Sequence, residues 1–281
     1  MKKPVIVGIA GLLLVFILFY VFDTAPSKKL IKTSEKLTEQ PFDITKFIDS
    51  TKTTLAPRQS LSLGALENNI SRGDVRSQQI ISYTSLANFW KDSLKLFEPY
   101  AFYISKACLL DKSEKNLTFA AQIFLNNLRW ENNEAKLKWE TAQAISLFEE
   151  ALKLNPENDD LKIGLGSSYI LGRGRSGNPE ETMKGIQVLL GVIRKDSANM
   201  KAQLVLGMGG YISGQYDKAI ERLHKVVASQ PENVEAIAFL ADSYAAKNEN
   251  QQAIKWYNIS KRLVNDPHYS KEVDARIKML K

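Results

Sequence analysis

Cysteine and histidine are scarce in this sequence. Among 281 residues there is one cysteine, Cys108, and there are two histidines, His224 and His268, which lie 44 residues apart. A single cysteine excludes an intrachain disulfide and a Cys-x-x-Cys pair, and two isolated histidines supply too few ligands for a zinc site. We therefore predict no metal and no cofactor. Cys108 lies in an apolar run and is expected to be a buried thiol, whereas His224 is expected to face solvent.

The short motifs of nucleophilic and phosphate chemistry are also missing. Neither the G-x-S-x-G elbow nor the G-x-x-x-x-G-K-S/T loop occurs, and adjacent carboxylates such as Glu149 and Glu150 point apart on a helix. Residues Gly172 to Gly177 spell G-x-G-x-x-G, but a predicted helix precedes them instead of the strand that a dinucleotide site needs. The sequence therefore predicts a protein that is not an enzyme and has no catalytic residue.

No block of a single charge sign stands out. The net charge of +7 is spread over the whole length, with +2 or less in each of four successive segments. Nucleic-acid-binding domains concentrate lysine and arginine on one face or stripe, which this chain does not do. We predict no nucleic-acid partner, and the sequence points to no small-molecule substrate.

Only one long apolar run is present, from Val5 to Phe22. These 18 residues carry no charge and follow two lysines. As a helix the run would span roughly 27 Å, close to the thickness of a hydrocarbon core. A cleaved signal peptide is the alternative, but the run is longer than the usual limit of about 15 residues, and Asp23 disfavours cleavage. We predict a transmembrane anchor over residues 1–23.

The orientation of this anchor is open from charge alone, because lysines occur on both sides of it. We favour a bacterial signal anchor: a single-pass protein of the cytoplasmic (inner) membrane, with the rest of the chain on the periplasmic or extracytoplasmic side. Residues 24–42 are polar and predict a linker. Residues 43–74 predict short amphipathic helices, the first behind Asp43 as its N-terminal cap.

Apolar residues at helical spacing dominate the rest of the chain. Between Leu206 and Pro231, a turn at Gly214 separates two helical segments. The second segment has apolar residues three or four apart, at Tyr216, Ala219, Leu223 and Val226. This stretch resembles the tetratricopeptide (TPR) repeat, a 34-residue helix-turn-helix unit. Gln203 departs from the pattern, because a large apolar residue is expected there.

Small residues recur at the period of that repeat. Gly185 and Ala219 are 34 residues apart, as are Ala219 and Ala253, whereas 41 residues separate Ala144 from Gly185. We assign the seven extra residues to an insertion at the loop from Gly172 to Gly177. The regular spacing extends the resemblance over several successive copies.

The resemblance implies an all-α fold, in which antiparallel helix-turn-helix repeats stack in a right-handed superhelix (an α-solenoid), here preceded by one transmembrane helix. Membrane-anchored bacterial TPR proteins share this layout. The repeat domain is predicted to cover residues 75–281. Its parts are a degenerate copy at 75–114, copies at about 115–158, 159–199, 200–233 and 234–267, and an end helix at 269–281.

The resemblance also implies a partner-binding groove on the concave face, lined by first-helix residues. The equivalent positions here are Ile163, Ser167, Ile170, Lys201, Leu204, Met208, Tyr211, Ala238 and Asp242, with Asp160 and Glu235 near the helix starts. Their apolar character predicts an apolar or amphipathic partner segment, with Tyr211 as an aromatic anchor. Alternatively, some of these side chains pack under the end helix. Arg173 and Arg175 in the loop could contact an acidic partner or a phosphate.

Two functions follow from these expectations. The first is a membrane-tethered TPR scaffold, that is, an adaptor or assembly factor that binds a protein or peptide in its groove without catalysis. The second is a structural subunit of a stable membrane-associated complex, or a self-assembling scaffold, in which the groove is permanently occupied.

Overall fold

The computed structural model describes residues 40–72 and 75–281, and within them it contains only helices, turns and loops. The all-helical prediction is therefore confirmed for this part of the chain. The helices are α1 Ile44–Lys52, α2 Pro57–Arg72, α3 Arg76–Asn88, α4 Phe97–Asp111, α5 Glu114–Asn127, α6 Glu134–Leu154, α7 Asp159–Ser168, α8 Pro179–Lys195, α9 Met200–Ile212, α10 Tyr216–Ser229, α11 Val234–Ala246, α12 Asn250–Val264 and α13 Pro267–Met279.

The predicted membrane anchor, Val5 to Phe22, lies outside the described residues, as does the predicted linker up to residue 39. Among the helices of residues 40–72 and 75–281, none combines the length and the apolar character needed to cross a bilayer.

Helices from α3 to α12 pack as five consecutive pairs, α3 with α4, α5 with α6, α7 with α8, α9 with α10 and α11 with α12. The first helices of neighbouring pairs also contact each other: α5 contacts α7, α7 contacts α9, and α9 contacts α11. Within the same described residues, the second helices have no comparable contact with one another. The stack therefore curves toward its first helices. We call the surface that these helices line the inner face.

Asparagine side chains fix the starts of three first helices. Asn158, Asn199 and Asn233 each adopt a non-helical backbone conformation just before α7, α9 and α11. The side-chain oxygen of each accepts a backbone N–H from the first turn, for example that of Ala236 at 2.9 Å. Such a cap contributes roughly 1 kcal/mol. The repeated caps explain why these helices begin at equivalent places in successive pairs.

Small residues allow the two helices of a pair to approach closely. A Cβ atom added to Gly207 of α9 would lie 2.7 Å from Cγ of Leu223 in α10, which is below any normal contact distance. Gln203, the departure from the repeat pattern, is buried on the same helix. Its amide donates to the Ser197 carbonyl and accepts from Arg222, both at 2.9 Å. A satisfied polar group thus replaces the expected apolar side chain.

Both ends of the described repeats are covered. At the N-terminal end, Ile44 and Ile48 of α1 are buried in one cluster with Trp90, which lies in a π-helical turn after α3. At the C-terminal end, Val273 and Ile277 of α13 are buried against α12. Covering the end pairs keeps their apolar faces out of water, which stacked repeats require.

Substitution of Gly207 tests the close approach of α9 and α10. We expect Gly207→Ala to lower the free energy of unfolding by about 1–3 kcal/mol, because its new methyl group collides with Leu223. Gly191→Ala in α8 is the matched control, since a Cβ there meets no atom within 4 Å. The control should gain up to about 1 kcal/mol from helix propensity. Thermal unfolding followed by circular dichroism measures both, and equal effects would contradict the packing argument.

Candidate partner-binding site

A cavity of about 380 Å³ opens on the inner face. Its floor is apolar and is formed by Leu171, Met208, Ile212 and Phe239. These residues come from three successive pairs, since Leu171 follows α7, Met208 and Ile212 lie on α9, and Phe239 lies on α11. The volume is typical of sites that bury one or two large side chains or a small ligand.

Aromatic side chains form the upper part of this cavity. Tyr211 packs edge-to-face on Phe239, with ring centroids 5.7 Å apart, and also lies 6.0 Å from the ring of Tyr216. Burial raises the pKa of the Tyr211 hydroxyl, so the group stays neutral at physiological pH. Trp130, which also lines the cavity, is 79% exposed. A tryptophan this exposed beside an apolar cavity is typical of contact surfaces.

An ion pair spans the inner face at the cavity rim. Arg129 lies in the turn after α5, and its guanidinium donates to the carboxylate of Glu235 in the first turn of α11. The two residues are 106 positions apart in the sequence. Both side chains keep about a third of their surface exposed. The curvature of the stack therefore brings the second pair of helices to the fifth across the groove.

The turn that carries Arg129 and Trp130 is held from two sides. Arg175 donates through its guanidinium to the backbone carbonyls of Leu128 and of Glu131, the second at 3.3 Å. These carbonyls follow the end of α5, where helix carbonyls lack intrahelical partners. The loop between α7 and α8 therefore caps the preceding pair. The seven-residue insertion predicted from spacing supplies this contact, together with a π-helical turn over Tyr169–Gly174.

Glu140 of α6 is bonded to the end of α5, directly before the same turn. Its side chain is fully buried, and the Asn127 amide donates to both carboxylate oxygens at 3.0 Å. Burial raises the pKa of the Glu140 carboxyl to about 7, and the nearby charges of Glu131 and Glu98 add to the rise. The hydrogen bonds from Asn127 and the charge of Lys136 oppose it. The carboxyl therefore titrates near neutral pH.

The uncharged members of the predicted groove set lie in three environments. Met208 and Tyr211 line the cavity, while Leu204 and Ala238 are half-buried nearby. Ile163, Ser167 and Ile170 are buried, and Ile170 has no exposed surface because it packs against Gly209.

The charged members of the predicted set already have partners within the chain. Lys201 forms an exposed ion pair with Asp160 at 2.9 Å. Asp242 accepts from Tyr257 and from Arg276 of α13, the latter at 2.9 Å. Asp242 therefore contacts the end helix. Of the two loop arginines, Arg175 serves as the cap described above, and Arg173 is half-buried.

Residues that the repeat pattern did not point to complete the site. The cavity is also lined by Arg129, Trp130, Leu171, Ile212 and Phe239. None of them is among the groove positions that the resemblance to the TPR repeat implies. Trp130 offered a signal, because it is a large aromatic residue at the start of a polar stretch. The pairing of Arg129 with Glu235 depends on curvature, and no local pattern reveals it.

Two expectations for isolated residues have different outcomes. Cys108 is buried, and burial raises the pKa of its thiol to about 11, which confirms a core thiol. The expectation that His224 faces solvent is wrong. Its Nε2 lies 2.8 Å from the Tyr244 hydroxyl, and its ring packs edge-to-face on Trp256, because the neighbouring pair covers that side of α10. No group of metal-ligating side chains occurs within the described ranges.

Comparison with known proteins agrees with this architecture. Residues 211–271 match the tetratricopeptide repeat family model. Among solved structures, TTC0263, a thermophilic TPR protein of Thermus thermophilus, shares 14% identity at a TM-score of 0.52, covering 72% of this chain and 98% of that chain. A TPR protein of Parabacteroides merdae shares 15% identity at a TM-score of 0.49, covering 84% and 92%. Comparison with curated proteins gives no match.

The family model and the likeness to TTC0263 define the class of protein at the level of the fold. The family model supports the TPR family for the C-terminal repeats, and the likeness to TTC0263 extends the TPR fold over most of the described chain. TPR proteins are generally non-catalytic scaffolds that bind other proteins. YrrB, a TPR protein with an unusual peptide-binding site, also matches, at 19% identity and a TM-score of 0.43 over 75% of this chain and 98% of that chain.

The buried carboxyl of Glu140 makes stability depend on pH. The group ionises near pH 4.5 when unfolded and near pH 7 when folded, so its neutral form favours the folded state. The free energy of unfolding should therefore fall by roughly 3 kcal/mol as pH rises from about 4.5 to 7.

We expect Glu140→Gln to remove this decline, because the amide cannot ionise and keeps a similar shape. Glu149→Gln, exposed on the same helix, is the control and should keep the decline. Chemical denaturation at several pH values measures the free energy of unfolding of each variant and of the natural sequence. Parallel pH profiles for Glu140→Gln and the natural sequence would contradict the assignment.

Proposed function

We propose that this chain is a membrane-tethered TPR scaffold, an adaptor or assembly factor that binds a segment of another protein on its inner face and performs no catalysis. The cavity between α7, α9 and α11 carries this proposal, because it combines an apolar floor with the exposed aromatic ring of Trp130. Large apolar side chains of a partner would bury surface there at about 25 cal/mol per Å². The partner is expected to be an apolar or amphipathic segment.

Membrane tethering is supported by the sequence of Val5 to Phe22, whose length and lack of charge suit a bilayer. The polar residues 24–42 would separate the repeats from the membrane surface. We place the repeats on the periplasmic or extracytoplasmic side of a cytoplasmic (inner) membrane. A tethered scaffold with its groove free in solution could hold a partner close to the membrane, where its effective concentration is high.

The alternative is a scaffold that assembles with itself or forms a permanent structural subunit. Open-ended stacking of repeats requires an uncovered apolar face at the last pair. Helix α13 covers that face, with Val273 and Ile277 buried against α12. This observation favours a groove-binding scaffold over self-stacking through the C-terminal end.

Photo-crosslinking in cells tests groove binding directly. A photoreactive phenylalanine analogue at position 130 should give a discrete adduct with another protein, because Trp130 is 79% exposed on the cavity rim. Position 208 is less suitable, since Met208 is only 1% exposed. The matched control is position 154, where Leu154 is 52% exposed at the end of a second helix. Adducts of equal yield at both positions, or a dimer of this chain at position 130, would count against the proposal.

Reporter fusions test the proposed orientation. Alkaline phosphatase joined after Lys281 should be active, because it folds only outside the cytoplasm, and green fluorescent protein at the same place should be dark. The C-terminal end of α13 tolerates a fusion on structural grounds, since Met279 is 82% exposed. The opposite pattern would place the repeats in the cytoplasm and overturn the orientation without affecting the groove.

A further inference from the structure

The ion pair between Arg129 and Glu235 lies where a partner segment would enter the cavity. Both side chains line the cavity, and both are partly open to water. An ion pair in such a setting contributes little to stability, because water screens the charges and two long side chains lose freedom. The pair is therefore weak enough for a competing charged group to replace one of its members.

Glu235 and Arg129 differ in what each would lose on separation. Glu235 lies in the first turn of α11, where a negative charge is stabilised by the helix dipole and by unpaired backbone N–H groups. Arg129 lies just beyond the last turn of α5 and forms no other ion pair within the described residues. Glu235 can thus be released at little cost, and Arg129 then becomes available to a carboxylate from a partner.

The charges around the cavity favour an acidic partner. Its charged lining residues are Arg129, Arg175 and Glu235. The guanidinium of Arg175 donates to two backbone carbonyls, which are neutral acceptors, so its positive charge is not cancelled there. The rim therefore carries an excess of one positive charge beside an apolar floor. An acidic group entering with an apolar side chain matches both features.

We propose that the cavity binds a protein segment in which an acidic residue lies next to a large apolar one. The apolar side chain enters between Met208 and Phe239 and packs under Trp130, and the acidic side chain replaces Glu235 as the partner of Arg129. This inference rests on the proposed groove binding and specifies the chemistry of the partner. It also makes Glu235 an internal competitor for Arg129, which lowers the affinity for the partner.

Selection from a library of random dodecapeptides tests this specificity. The full-length protein in detergent micelles serves as the target, and enriched peptides should share an aspartate or glutamate beside a leucine, methionine or aromatic residue. One enriched peptide is then labelled, and its affinity is measured by fluorescence anisotropy for the natural sequence and for variants whose folding is checked by circular dichroism.

The two members of the ion pair should have opposite effects on this affinity. Arg129→Gln should weaken binding about tenfold, because a charge-assisted hydrogen bond is lost. Glu235→Gln should strengthen binding about threefold, because the internal competitor is removed. A purely structural role for the pair would make both variants bind more weakly.

Lys225 and Glu221 provide a matched control pair. They form an exposed ion pair on α10 at 2.7 Å, away from the cavity lining. Lys225→Gln and Glu221→Gln change the net charge by the same amounts as the two test variants and should leave the affinity unchanged. Equal effects of Lys225→Gln and Arg129→Gln would show general charge attraction and overturn the proposal.

Failure of the inference and failure of groove binding have different signatures. In one outcome, the enriched peptides are apolar and lack an acidic residue, their affinity falls for Trp130→Ala, and their affinity is unchanged for Arg129→Gln. This result would overturn the acidic specificity and leave groove binding intact. In another outcome, the peptides bind Trp130→Ala and Arg129→Gln with the same affinity as the natural sequence. They would then bind elsewhere, which would overturn both the acidic specificity and groove binding. A library without any enriched sequence would also count against groove binding.

Discussion

The close approach of two helices at small residues is the constraint on which the rest of this structure depends. Gly207 lies against Leu223 and Gly210 lies against Ala219, so α9 and α10 pack nearly backbone to backbone on one side. Gly166 lies against Leu189 in the preceding pair. These two pairs are therefore narrow where their helices meet. When such pairs stack, their first helices converge and the stack curves.

Curvature in turn creates the site. The contact of Arg129 with Glu235 joins residues that are 106 positions apart in the sequence. The local geometry of a single helix or turn therefore cannot produce it. Each pair contributes a small rotation, and successive rotations bring the turn after α5 to the start of α11. The cavity is the space left between those two points. A change in the packing of either intervening pair would therefore alter the cavity, and those two pairs also supply most of its floor.

The sequence predicted the parts of the molecule that obey a local period. Tyr216, Ala219 and Leu223 repeat at helical spacing, and they predict a helix whatever the chain does next. The sequence also predicted Met208 and Tyr211 as inner-face residues, and the cavity contains both. It could not predict that Ile170 would be covered, because that depends on how closely Gly209 approaches from the next pair.

Two further differences between expectation and structure have the same physical origin. His224 lies on the outer side of its own helix by periodicity, yet Tyr244 from the following pair reaches it. The arginines of the Gly172 to Gly177 loop looked available to a partner, yet Arg175 bonds to the pair before it. In both cases a neighbouring pair supplies the contact. Period-based reasoning treats each repeat alone and therefore misses contacts between repeats.

The turn between α5 and α6 combines rigidity with exposure, and this combination suits it to recognition. Arg175 holds its carbonyls and the Asn127–Glu140 bond fixes its beginning, so the backbone of the turn has few alternatives. Its side chains at Arg129 and Trp130 nevertheless remain open to solvent. A partner that binds them would not have to order the backbone that carries them, which reduces the entropy cost of association. The buried bonds under the turn would thus support the proposed binding, although they touch no partner.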